Sequence, residues 1–125
     1  MLVDCGLYQG GDELEQRNWR HFVFEPHELS AVLLTHAHLD HTGALPLVYG
    51  AFPRARVWMT TPTLGLLEVL LRDAVKVMEA RSDQEEEIPL YPLAAVEALL
   101  ARSTGVPWMQ PVELCDGEVR ASFFP

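Results

Sequence analysis

Short apolar runs alternate along this chain with longer stretches in which apolar residues recur every three or four positions. Leu2 to Cys5 is the first run, stopped by Gly6, and reads as a buried strand. A second, Ala31 to Leu34, follows the break at Pro26. A third, Arg56 to Thr60, sets Val57 and Met59 against Arg56 and Trp58, the period of a strand with two unlike faces.

The stretches between these runs have helical spacing or turn chemistry. Gly10-Gly11 marks a loop. From Glu13 to Phe22, Leu14, Trp19 and Phe22 can share one side while Glu15, Arg17 and Arg20 stay in solvent, giving a short helix or an ordered loop. Leu45 to Phe52 reads as a short helix ended by Gly50 and Pro53. The clearest helix has Thr61 as N-cap and Pro62 at its first position, then Leu64, Leu67, Leu71, Ala74, Val75 and Met78 on one face. The acidic run Asp83 to Glu87 reads as a solvated linker or a frayed helix end. Pro92 opens another short helix with Leu93, Val96, Leu99 and Leu100, closed by Gly105 and Pro107. Val112 to Cys115 and Glu118 to Phe124 flank Asp116-Gly117, a hairpin signal.

The resulting order is strand, helix, strand, helix, strand, two helices, hairpin. This predicts an α/β chain, and 125 residues suffice for one domain with its own core. The loop leaving the second strand, where α/β sheets usually carry chemistry, is Thr35-His36-Ala37-His38-Leu39-Asp40-His41-Thr42-Gly43. A solvated turn has no need of three histidines and a carboxylate in six residues, and buried ones need partners. Zinc-like metals are the natural partners of imidazole and carboxylate. His36 and His38, two apart on extended backbone, can share one ion. Asp40 and His41, where the chain turns toward a helix, can face a second. The chemistry expected is metal-assisted hydrolysis of an ester, amide or phosphodiester.

A catalytic zinc usually has three protein ligands, and this loop offers two for each ion. His21 and His27 lie among Trp, Phe and Pro without metal-like spacing and read as surface or loop residues. Cys5 and Cys115 are too few for a disulfide framework and form no Cys-x-x-Cys pair, so reduced thiols in the cytoplasm are expected. No apolar run is long enough to span a bilayer. A net charge of −9, with nine scattered basic residues, argues against a basic nucleic-acid surface in this segment. The oligomeric state has no signature in the sequence.

The motif His36-Ala-His38-Leu-Asp40-His41 resembles the signature of the metallo-β-lactamase fold superfamily. The segments Leu2-Val-Asp4-Cys-Gly6-Leu-Tyr-Gln-Gly-Gly11, Asn18-Trp19, Thr60-Thr-Pro62-Thr and Pro111-Val-Glu-Leu-Cys-Asp-Gly are similar to its β-CASP ribonuclease branch, which includes mRNA 3′-end-processing endonucleases. The resemblance implies a partial αββα sandwich over residues 1–125, incomplete at both ends, without the later ligand motifs or the β-CASP insert. It implies two Zn2+ ions, one on His36 and His38 and one on Asp40 and His41. Asp40 would handle a proton beside the bridging water, and Asp4 would orient a ligand histidine. Thr35 and Gly43 would shape the turn without chemistry of their own. RNA would be the substrate of the parent enzyme, with the isolated chain inactive. The alternatives are a small-molecule hydrolase of the same fold (thioesterase or lactonase) and a non-enzymatic partial domain that needs a partner.

Overall fold

The computed structural model describes every residue except 21, 23, 25–27, 52, 53, 86 and 87, together with the side chains of 84 and 85, which are left aside. Pro26, Phe52, Pro53, His21 and His27 therefore lie outside the described residues. Strand β1 (Leu2–Val3) leads through a single turn, α1 (Asp12–Glu15), and a 3-10 turn (Gln16–Trp19) to β2 (Ala31–Leu33). Next come α2 (Leu39–Thr42), α3 (Leu45–Ala51), β3 (Arg56–Thr60), α4 (Thr61–Glu85) and α5 (Leu93–Leu100). The chain closes with β4 (Ser103–Val106), β5 (Val112–Leu114) and β6 (Val119–Ala121).

Strands β1 to β4 form one parallel sheet in the order β1-β2-β3-β4, and β5 and β6 form a separate antiparallel pair. This is the mixed α/β structure expected, consistent with part of an αββα sandwich. Register puts Leu2, Val32 and Val57 in one row across the sheet. On that face Val32, Val57 and Met59 are buried, and helices α3, α4 and α5 cover them with Leu45, Val48, Leu67, Leu71, Val75, Val96 and Leu99. The adjacent row, Val3, Leu33 and Trp58, belongs to the opposite face and is only partly covered.

Helix α4 follows the predicted stripe: Leu67, Leu71, Ala74 and Val75 are buried, and Leu64 and Met78 pack against the core. Its cap sits one residue earlier than predicted. The Thr60 hydroxyl oxygen accepts from the Thr63 N–H at 3.3 Å and pairs with the Thr63 hydroxyl at 2.8 Å, so Thr61 is already helical. The acidic run is likewise helical as far as Glu85.

Two elements depart further from the hydrophobic pattern. Leu14 and Trp19 are exposed, so segment 12–19 is held by turns rather than by an apolar face. Gly105 ends no helix: it lies inside β4, a strand whose Ser-Thr-Gly-Val sequence shows no apolar alternation. A side chain at Gly105 would come within 3.0 Å of the Thr61 Cα, so glycine lets β4 close against the start of α4.

Truncating the stripe provides the check on this core. Leu67→Ala or Leu71→Ala is expected to destabilise the fold by about 2–5 kcal/mol in denaturant unfolding. Val69→Ala, on the exposed face of the same helix, is expected to cost under ~0.5 kcal/mol.

Candidate metal centre

The histidine loop is made by two segments far apart in sequence. After β2, Leu34 continues the ladder through its N–H to the Trp58 carbonyl (2.9 Å), and the chain then turns into α2 with His38 as N-cap. Thr42, fully buried, donates its hydroxyl to the carbonyls of Ala37 (3.1 Å) and His38 (3.0 Å), which fixes the turn from inside.

The second segment is the exit from β1. The Asp4 N–H still reaches the Leu33 carbonyl (2.8 Å), but Asp4 takes φ 57°, a left-handed conformation that aspartate tolerates better than most residues. The chain then runs along α2 instead of along a strand. Cys5 N–H bonds the His41 carbonyl (2.6 Å), Leu7 N–H the Leu39 carbonyl (3.1 Å), and Ala44 N–H the Cys5 carbonyl (3.0 Å). Approach is closest at Gly6, where an added Cβ would fall 1.6 Å from the Asp40 carbonyl oxygen. No side chain fits there.

The left-handed turn aims the Asp4 carboxylate at the loop. Oδ1 accepts from the Thr35 N–H (2.8 Å), and Oδ2 accepts from the Thr35 hydroxyl (2.8 Å) and from His41 Nδ1 (2.8 Å). Burial pushes the Asp4 carboxyl up, but the Thr35 N–H, the His41 and Thr35 hydrogen bonds and the charge of His41 outweigh it. The group ends below its ordinary value.

Thr35 has one hydroxyl proton, and it goes to Asp4. Its oxygen is therefore left to accept from His36 Nδ1, 2.9 Å away. The network thus assigns the Nδ1 proton on both His36 and His41, leaving Nε2 of each neutral ring as the available donor atom.

The rings of His36 and His41 stand with centroids 3.9 Å apart, and His36 and His38 meet edge to face at 4.9 Å. Asp40, whose side chain is largely exposed, lies with Oδ2 3.6 Å from His41 Nε2. The structure therefore brings His36, His38, Asp40, His41 and Asp4 into one neighbourhood. In kind these donors fit a zinc-type ion: two imidazoles with Nδ1 engaged, a third exposed imidazole, and a carboxylate beside one free Nε2. In number they do not close a shell, since among the described residues no three His, Cys, Asp or Glu side chains are grouped to hold an ion.

Three supporting residues were not marked as such by sequence pattern. Thr35 positions both Asp4 and His36, beyond shaping the turn. Gly6 gives the contact with Asp40, which neither its place at the end of an apolar run nor its place in the Leu2–Gly11 segment marked. Tyr91, buried under the loop, donates its hydroxyl to the Gly43 carbonyl at 2.8 Å, and burial pushes its phenol up to about 12. Nothing local to Tyr91 announces that bond. Cys5, beside Asp4, packs against the core, and burial together with the Asp4 charge pushes its thiol up to about 12. It is a poor nucleophile and a poor metal ligand.

Residues 1–81 match the model of the metallo-beta-lactamase superfamily. A ribonuclease from Thermus thermophilus is 49% identical over 79 residues, covering 63% of this chain and 18% of that protein. The transcription termination factor FttA from Cenarchaeum symbiosum is 30% identical over 112 residues, 86% of this chain and 16% of the relative. Cleavage and polyadenylation specificity factor 73 from Drosophila melanogaster is 29% identical over 104 residues, 82% of this chain and 14% of the relative. The chain thus spans less than a fifth of each of these relatives.

Two substitutions test the clasp. Gly6→Ala must push the segment after β1 away from α2, and a loss of ~3 kcal/mol is expected in chemical denaturation. Unchanged stability would show that the two backbones do not touch. For Asp4, a carboxyl lowered in the folded state contributes stability that is fully present above its unfolded value, about 3.9. That contribution is lost as pH falls through the lower folded value. Asp4→Asn should therefore flatten the acid limb of the stability–pH curve below about pH 4. Superimposable acid limbs for the two proteins would contradict the network.

Proposed function

The chain belongs to the metallo-β-lactamase superfamily, with relatives among the β-CASP RNA-processing nucleases, and on that premise we propose that it carries half of a two-zinc centre for RNA phosphodiester hydrolysis. The observation that carries the reading is the bond from Asp4 to His41 Nδ1, repeated by Thr35 on His36. A metal-binding histidine typically donates its second N–H to a carboxylate or other oxygen, which fixes the tautomer and the ring orientation.

In this proposal His36 and His38 hold one ion and Asp40 and His41 the other, and residues 1–125 form part of the domain. Bound zinc would supply a water acidic enough to attack near neutral pH and would polarise the phosphoryl oxygen. The chain's own residues do the rest. Asp4 keeps the proton of His41 on Nδ1, so Nε2 stays open toward the centre. Thr35 does the same for His36. Asp40, exposed at the first turn of α2, would take a proton from the attacking water. These four donors do not complete both shells, so turnover by the isolated chain is not expected. No helix among the described residues is long and apolar enough to cross a membrane, and the reading places the protein in the cytoplasm, where its two cysteines remain thiols.

Zinc binding tests the reading directly. Titrated calorimetrically with zinc at neutral pH, the chain should bind, and His36→Ala and His41→Ala should each weaken binding at least tenfold. Asp4→Asn, which removes a supporting bond and no ligand, should weaken it by about 10–100-fold. Bound zinc should leave as pH falls through the histidine range, because the ligands must be neutral. Equal affinity in wild type, His36→Ala and His41→Ala would overturn the assignment.

A further inference from the structure

Beside the metal loop runs an open groove of about 560 Å³ whose composition departs from the rest of the chain. It is lined by Tyr8, Arg17, Trp19, Arg20 and Phe22 together with Gly6 and apolar residues of α3, and among the described residues no carboxylate lines it. In a chain of net charge −9, a groove with two arginines and no acid among its described residues is a local reversal of sign. The cleft that shares Trp19 shows the contrast: it is lined by Asp12 and Glu15, and Arg81 there stands 3.9 Å from the Glu15 carboxylate.

The groove is also held in shape. Asn18 clamps the Tyr8 backbone twice, accepting from its N–H at 2.8 Å and donating to its carbonyl at 3.0 Å. That clamp ties the 3-10 turn carrying Arg17 and Trp19 to the segment that leaves Gly6. Arg17 lies over the Tyr8 ring, 5.8 Å from its centroid, which holds the guanidinium beside the groove. Arg20 makes no ion pair with any described residue and is exposed. Trp19 is 58% exposed, so a large aromatic face is open to solvent.

Held aromatic faces beside guanidinium groups that form no ion pair with any described residue are the chemistry of single-stranded nucleic acid, in which bases stack on rings and phosphates meet arginine. We infer that the groove between Tyr8 and Arg20 binds an unpaired nucleotide of the RNA strand, with its base on Trp19 and its phosphate at Arg20. This rests on the RNA reading above and extends it by naming where the strand is held. Gly6 belongs to both places: it lines the groove, and its backbone packs on the Asp40 carbonyl. A strand held at Trp19 is therefore led toward the metal loop. The acidic balance of the whole chain, which argued against a basic surface, conceals this local one.

The test uses binding without metal. The 125-residue chain, in a chelating buffer, is titrated against a fluorescein-labelled single-stranded RNA and followed by anisotropy, alongside an abasic strand of equal length and an RNA duplex. Trp19→Ala should weaken binding to the single strand by about 5–100-fold, and Trp19→Phe should restore most of it. Arg20→Gln should weaken it as well and reduce the salt dependence by about one counterion. Both side chains are exposed, and far-ultraviolet circular dichroism confirms that each variant is folded. The abasic strand and the duplex should bind the wild type more weakly than the single strand. Failure of the wild type to bind, equal binding by wild type and Trp19→Ala, or equal binding of RNA and abasic strand would each overturn the inference. The zinc titrations separate the two claims. Zinc affinity dependent on His36 and His41 with RNA affinity indifferent to Trp19 leaves the centre standing and removes the groove. The reverse pattern removes the centre and keeps a nucleic-acid site.

Discussion

A carboxylate that accepts three hydrogen bonds at the end of a two-residue strand is the constraint on which the loop depends. Asp4 cannot be left partly satisfied, because burial raises the cost of every acceptor position without a donor. Satisfying it requires the Thr35 N–H, the Thr35 hydroxyl and His41 Nδ1 at one point, and this brings the ends of β1 and β2 and the middle of α2 together. The left-handed backbone at Asp4 is what turns the carboxylate to meet them. Strain at a functional site is tolerated when the surroundings over-determine it, and three donors plus three flanking backbone bonds do so here.

The same network sets the tautomers of His36 and His41 before any ion arrives. Each bond to Nδ1 chooses a tautomer, and the choice is the one that presents Nε2. Pre-organisation of this kind lowers the cost of ordering side chains when a ligand binds. Tyr91 and Thr42 serve the same end from below, holding the Gly43, Ala37 and His38 carbonyls with their hydroxyls. The loop is thus fixed from the β1 side by Asp4 and from the helical side by two buried hydroxyl groups.

Much of the architecture was legible because burial writes itself into spacing. Val57 and Met59 in β3, and Leu67, Leu71 and Val75 in α4, are buried where period and pattern put them. Strand β4 was missed for a physical reason. It lies at the sheet edge, so its residues need not alternate, and its glycine serves packing against α4 while resembling a breaker. Segment 12–19 misled in the opposite sense, since Leu14 and Trp19 imitate an apolar face yet stay exposed. In the site, the histidines and the carboxylates were visible as letters. Thr35 between Asp4 and His36, Gly6 against Asp40 and Tyr91 beneath Gly43 depend on contacts between distant residues, which no local pattern encodes.

The strand order carries a consequence for how the molecule comes into being. Each neighbouring pair in the parallel sheet is also consecutive along the chain, so the sheet can grow in one direction, outward from β1. Closure cost rises only slowly with loop length, and no crossover has to wait for a strand made much later. On a ribosome, the residues from β1 through Ala44 emerge before β3, β4 and the helices between them exist. The histidine loop can thus form before β3 and β4 have been made. Helices α4 and α5, whose side chains share the core with Leu34, arrive afterward.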